Sequence, residues 1–225
     1  MKNILAILVI ALCAINSNAA SVSYFSDGSY VDATIEAVNM RDQILGAGHT
    51  VSNFSGTSDS DWSSALVNDA LVISELESGD LSAALSSTAK SSIESFVASG
   101  GHFVISGTSS NRATDLVNSV FSTSFAVGGN STGTQTIDAG ASGTRFDAGP
   151  ATLDYYSAVW TVTTASLGTA NQIYSDGAQT SVFEFAYGAG SVSYIAYDWF
   201  ATQDAAWGEV LDMEATIYNA NSYLG

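Results

Sequence analysis

Basic residues, cysteine and proline are all scarce in this sequence. Five Lys and Arg stand against 22 Asp and Glu across 225 residues, a formal net charge of −17. Nucleic acid is excluded as a natural partner, because neutralising phosphates needs a basic face. An anionic membrane surface is disfavoured for the same reason. The single cysteine, Cys13, rules out a disulfide-stapled scaffold, and the single proline rules out a collagen-like chain or a Pro-rich linker. No stretch reaches 18 continuous apolar residues, so no segment reads as a spanning helix. Against these absences, 46% of residues are hydrophobic and 11% aromatic, which is enough to build a core and excludes a disordered acidic tail.

The first residues have a distinct composition. Lys2 precedes an apolar run from Ile4 to Ala14, and Ser17-Asn18-Ala19 follows with small residues where a leader peptidase reads them. This is the three-part order of a secretory signal peptide. The run is too short to cross about 30 Å of hydrocarbon. Cleavage between Ala19 and Ala20 is therefore expected, giving a secreted chain of one domain over residues 20–225. That chain keeps four basic side chains (Arg41, Lys90, Arg112, Arg145) beside 22 acids, net −18, and no thiol.

The mature sequence changes character near its middle. Short apolar strands are expected at Val22–Ser26, Thr50–Ser55, Ala70–Ser74 and His102–Ser106. Between them lie helical spacings: Ile35, Val38, Met40, Ile44 and Leu45, then Ala89, Ile93, Phe96 and Val97, then Leu116, Val117 and Val120. A short helix or turn fits Asp61–Leu66. Strands alternating with helices imply an α/β fold, a three-layer α/β/α sandwich with a mostly parallel sheet. From Ser122 to Thr180 the chain is rich in Gly, Ser and Thr and reads as a β-rich insertion. Val182–Tyr187 and Ser191–Tyr197, joined by Gly188-Ala189-Gly190, form an expected hairpin. A closing helix is expected over Val210–Tyr218, opened by Gln203-Asp204.

The stretch LVISELESGDLSAALSSTAKSSIESFVASGGHFVISG (Leu71–Gly107), with GAGSVSYIAYDWF and QDAAWGEVLDM near the end, resembles a class I glutamine amidotransferase-like domain of secreted proteins. That resemblance implies a flavodoxin-like sandwich. Catalytic members carry a cysteine on a sharp turn after the strand matching Val104–Ser106, and a histidine near the last strand. Here the turn is Gly107-Thr108-Ser109-Ser110, and the later loop offers Asp198 without histidine. The resemblance therefore implies a non-catalytic member.

Other chemistry is sparse. His49 and His102 each begin a predicted strand, the edge opposite to where open α/β sheets gather ligands, and are expected as surface or turn residues. There is no G-x-S-x-G elbow, phosphate loop, dinucleotide fingerprint or EF-hand string. Asn53-Phe-Ser55 and Asn130-Ser-Thr132 match the glycosylation pattern. Tyr155, Tyr156, Trp160, Tyr187, Tyr194, Tyr197, Trp199 and Phe200 could face a sugar or pack inward, and core packing is the default expectation. Carboxylates are better placed, since Asp27, Glu75, Glu77 and Asp198 follow predicted strands and form the expected ligand-facing edge. Asp27, Glu75 and Asp198 are the candidate metal ligands, for Ca²⁺ or Mg²⁺, and plain solvated charge is the default reading for a chain with 22 acids. Two functions stay open. One is a non-catalytic binding or assembly domain outside the cell or at its surface, recognising a carbohydrate or a divalent cation. The other is a secreted hydrolase using Asp27, Glu75 and Asp198, with or without a metal.

Overall fold

In a computed structural model, five strands form the parallel part of one sheet in the order β2-β1-β3-β4-β11. The structure describes residues 19–107, 110–131, 133–154, 159–200 and 204–215. The first half runs β1 (Ser21–Phe25), α1 (Glu36–Gly46), β2 (Thr50–Phe54), α2 (Asp59–Ala65), β3 (Ala70–Ile73), α3 (Leu81–Ala84), α4 (Ser87–Ala98), β4 (His102–Ser106) and α5 (Arg112–Phe121). The second half runs β5 (Val127–Ser131), β6 (Gln135–Ile137), β7 (Thr152–Leu153), β8 (Val159–Thr163), β9 (Asn171–Ser175), β10 (Gln179–Tyr187), β11 (Gly190–Ile195) and α6 (Ala205–Ala215). The insertion does not form a separate body. β10 pairs antiparallel with β11 and carries β9, β6 and β7 outward, while β8 and β5 branch from its other end. With β11 as fifth strand, the parallel order 2-1-3-4-5 is that of flavodoxin-like sheets, whose crevice opens where β1 and β3 send their chains to opposite sides.

β3 and β4 are buried at every position, which is why their sequences lack polar alternation. Helix starts are encoded locally. Ser58 and Asp61 form a capping box on α2, Asp80 Oδ1 accepts from Ala83 N at 3.0 Å, and Ser86 Oγ accepts from Ala89 N at 3.0 Å. Asp204 Oδ1 takes the amides of Ala206 and Trp207 and so opens α6. The Asp59-Ser-Asp61 acids thus belong to a helix start.

α1 packs against α6, while α2, α3, α4 and α5 pack among themselves. α1 buries Ala37, Met40 and Ile44, whereas Ile35 and Leu45, both in the apolar spacing, stand exposed at its ends. Glu36 takes an inward position instead. Trp62 from α2 lies 5.5 Å from the Phe25 ring and 5.1 Å from Phe54, closing the core beneath β1 and β2. Each such ring contributes about 1.5–3 kcal/mol by burial. The β10–β11 hairpin tip docks on the end of α4. Gly188 has φ 61°, and a side chain there would meet Ala98 O at 2.5 Å; a Cβ on Gly190 would land on the carbonyl oxygens of Gly101 and Val97. Among the described residues no helix is long and apolar enough to cross a membrane.

Candidate functional site: a carboxylate cluster at the β1–β3 crevice

The crevice is built from two loops. After β1, Asp27 ties its own turn to the loop after β2: its Oδ1 accepts from Ser29 N at 2.9 Å and its Oδ2 from Gly56 N at 2.9 Å. These amide bonds hold its carboxyl below the ordinary aspartate range. Further along, Asp32 Oδ1 accepts from Thr34 N at 2.8 Å and Ile35 N at 3.2 Å, which sets the entry to α1 and delivers Glu36 inward. After β3, the chain passes Glu75, Leu76 and Glu77. Arg112 of α5 fixes this loop by donating Nη1 to the carbonyl oxygens of Leu76 (3.0 Å) and Glu77. Ser78 N donates to Tyr30 O at 2.9 Å, joining the two loops.

Glu36, Glu75 and Glu77 meet there. Each offers a carboxylate oxygen, and these oxygens lie within 4.8 Å of one another. Glu36 is 5% exposed and Glu75 2%, while Glu77 faces solvent. Glu75 Oε1 accepts from Trp199 N at 2.7 Å, and Asn39 Nδ2 donates to Trp199 O at 2.8 Å, so α1 and the loop after β11 close the back wall. Among the described residues, nothing hydrogen-bonds to the buried Oε2 of Glu36.

Three acids this close resist ionisation. Burial, with the charges of Glu77 and Asp198, pushes the Glu36 carboxyl up to about 8. Burial, then Glu36, raises Glu75 well above the carboxylate range. Glu77 is raised by burial and by Asp198 and Asp32, and Arg112 opposes this. Arg112 spends its hydrogen bonds on main-chain carbonyls, so the cluster accumulates negative charge as pH rises.

The expected edge is therefore corrected in part. Glu75 and Glu77 come together as expected. Asp198 stands beside them, felt electrostatically, with Oδ1 taken by Phe200 N at 2.9 Å. Asp27 is not in the cluster, because nearby amides satisfy it, and the grouped set is Glu36, Glu75, Glu77 in place of Asp27, Glu75, Asp198. Glu36 was hidden within an apolar helical spacing. Its signal was its position at the first turn of the helix that leaves β1.

Both histidines are buried, at 5% exposure, contrary to the surface expectation. Arg145 Nη1 donates to His102 Nε2 at 2.9 Å, so Nε2 is the bare nitrogen and Nδ1 carries the proton, facing Ser191 Oγ at 2.7 Å. In that tautomer His102 cannot draw a proton from Ser191. Burial and Arg145 push the His102 pKa well below its ordinary value. Arg145 also pairs with Glu184 at 2.9 Å and donates to Ser191 Oγ and Glu214 O. This knot sits at the strand-start edge, across the sheet from the carboxylates, and holds α6 to the sheet.

At the family's nucleophile turn, Thr108 and Ser109 lie outside the described residues. The preceding Gly107 is packed so closely that a Cβ would meet Tyr194 Oη at 2.5 Å and Trp160 O at 2.7 Å. Tyr194 Oη donates to that Trp160 carbonyl at 2.7 Å. Ser106 Oγ is buried, donating to Tyr197 O at 3.2 Å and accepting from Trp199 Nε1 at 3.1 Å.

Of the expected aromatics, Tyr194, Tyr197 and Trp199 are core residues, Trp160 and Tyr187 are half-buried, and Tyr155 and Tyr156 lie outside the described residues. Phe200, 61% exposed, is the large ring left in solvent beside Asp198. A groove of about 750 Å³ lies at the strand-start edge between α2 and α4, lined by hydroxyls such as Ser63, Thr88, Ser92 and Ser95.

No known family profile matches the sequence, and no curated protein matches it. Solved structures do share its fold. A cytoplasmic protein from Salmonella typhimurium aligns with TM-score 0.58 at 11% identity over 88% of this chain and 98% of its own. A proposed GMP synthase component from Thermoplasma acidophilum aligns with TM-score 0.56 at 12% identity, over 91% and 96%. A β-galactosidase from Bacillus circulans aligns with TM-score 0.52 at 12% identity over 88% of this chain but 31% of its own. The fold they share is a mixed α/β sandwich whose central strands run parallel. At these identities the likeness concerns the fold alone.

Proposed function

We propose that this chain is a secreted, non-catalytic binding domain whose Glu36–Glu75–Glu77 cluster takes a divalent cation of the Ca²⁺ or Mg²⁺ class. The observation that carries the reading is the buried, unpartnered Oε2 of Glu36, within a set of carboxylates whose oxygens lie within 4.8 Å. Buried carboxylates without a paired cation are costly, so they hold protons or coordinate a metal. All-oxygen donors of this kind suit hard cations. Asp198 and Asp32 add negative potential without entering the set. The secretory part of the reading rests on residues 1–19. The test is thermal unfolding at pH 8 and constant ionic strength, with and without millimolar Ca²⁺ or Mg²⁺. A cation-specific rise is expected in the wild type and should vanish in Glu75→Gln. Equal melting with and without cation overturns the reading.

A hydrolase remains the second reading because of one observation. Glu36, holding a proton to about pH 8, adjoins the solvent-facing Glu77, an acid beside a base. Turnover of glycosides by purified protein, abolished in Glu77→Gln, would favour it over simple binding.

A further inference from the structure

A second histidine site lies where the chain enters the sheet. Ala19 is exposed, whereas Ala20 is 1% exposed. Ala20 N donates to His49 Nδ1 at 2.9 Å. His49 Nδ1 is therefore the bare nitrogen, and Nε2 carries the proton and donates to Asp212 Oδ1 at 2.8 Å. His49 is almost wholly buried, and Asp212 is 42% exposed on α6. Ala20 O accepts from Thr50 N at 3.0 Å, holding the residue from its other side. Three elements thus converge on one main-chain nitrogen: β1, the start of β2 and α6.

That nitrogen is the one a leader peptidase would free. We propose that His49 and Asp212 form a preformed receptor for the mature amino terminus, so that processing creates an internal ligand. Hydrolysis breaks the Ala19 C–Ala20 N bond. Water gives its hydroxyl to the Ala19 carbonyl carbon and a proton to Ala20 N; the carboxylic acid so formed then releases its proton, the amine takes one up, and the leader leaves as residues 1–19 ending in a carboxylate. The new α-ammonium keeps the position of the former amide and donates one N–H to His49 Nδ1. His49 keeps its Nε2 proton on Asp212, and a positive and a negative charge now face each other across the ring. The remaining ammonium protons reach water on the Ala19 side, where the chain was already exposed. The proposal rests on the leader reading and is independent of the carboxylate cluster.

The amine count makes the test clean. A chain starting at Ala20 has two primary amines, its α-amine and Lys90, because Lys2 leaves with the leader. A free α-amine has a pKa of about 7.7–8.0 and lysine about 10.4, so at pH 7 a free amino terminus exceeds lysine more than ~100-fold in its reactive form. The full chain is exported from a host with a secretory leader peptidase, purified, and treated at pH 7 with a limiting acylating reagent. Intact and fragment masses locate the label. The expected result is a chain starting at Ala20 whose α-amine labels no faster than Lys90. In His49→Gln and in Asp212→Ala, where the ring loses the partner that fixes its tautomer, α-amine labelling should rise about tenfold or more. Asp212→Asn, which keeps the acceptor oxygen, should retain protection. A start other than Ala20 overturns the leader reading and the proposal together. A start at Ala20 with a freely labelled α-amine overturns the docking alone. Protection unchanged in both His49→Gln and Asp212→Ala assigns it to burial and also overturns the docking.

Discussion

Glu36→Gln should stabilise the cation-free protein at pH 8 while abolishing its response to cations. The ordinary glutamate pKa is 4.5, and in the fold Glu36 is pushed up to about 8 by burial and by Glu77 and Asp198. A group whose pKa rises on folding contributes stability that is complete below the unfolded value and is lost as pH climbs through the folded one. Between pH 4.5 and about 8 this single group therefore lowers stability by up to about 1.4 kcal/mol per pH unit. Glu75 and Glu77, both raised, add the same sign. Glutamine stays neutral and offers an N–H to the neighbouring carboxylates. We expect a gain of about 1–3 kcal/mol at pH 8 rather than the full product, because water at the Glu77 side screens the cluster. For a chain of this size that is a few to about 10 °C in melting temperature. Wild-type protein with cation at a hundred times Kd should gain about 2.7 kcal/mol, and the variant should gain little. Calorimetry across pH 5–8 with and without Ca²⁺ reads both effects. A variant that melts lower than wild type at pH 8 and keeps its Ca²⁺ shift would refute the reasoning.

Two further substitutions probe the frame around the site. Arg145→Met should cost about 3–5 kcal/mol at pH 7, because it leaves Glu184 without its buried partner; denaturant unfolding should show part of the loss recovered as pH falls and Glu184 takes a proton. Gly190→Ala should cost well over 1 kcal/mol, since its Cβ would land on two main-chain oxygens that cannot both yield; soluble yield and melting temperature will show it.

Elements whose environment is set by near neighbours were legible in the sequence. β3 and the centre of β4 are apolar runs because both their faces are covered, and Asp204, expected to open the last helix, does so through bonds to amides two and three residues away, whereas α2 starts at Asp59 under the Ser58 cap, earlier than the expected Asp61. Long-range pairings were not. Nothing near Glu36 encodes Glu77, because the two meet only once β1 and β3 lie side by side. Asp27 stays out of the cluster because the amides of Ser29, two residues on, and Gly56, beyond β2, already take its two oxygens. The short α3 was missed because its four residues carry no periodicity, only the Asp80 cap. Burial of His49 and His102 was invisible because their partners, Asp212 and Arg145, come from distant segments.

The pairing of β11 with β4 bears on how the chain must assemble. Ser191 sits opposite His102, 89 residues later in sequence. The four strands β2, β1, β3 and β4 can associate as soon as the first half exists, and β4 is then an open border with an apolar Phe103-Val104-Ile105 centre. Such a border is a template for any other extended chain. It stays uncovered until the whole β-rich segment has been made and β10 has delivered β11 into place. Closing that distant contact is slow compared with the local helix-strand steps before it. The interval in which β4 waits for β11 is thus the period of greatest aggregation risk for a nascent chain, and the many Ser, Thr and Gly residues between them set how long it lasts.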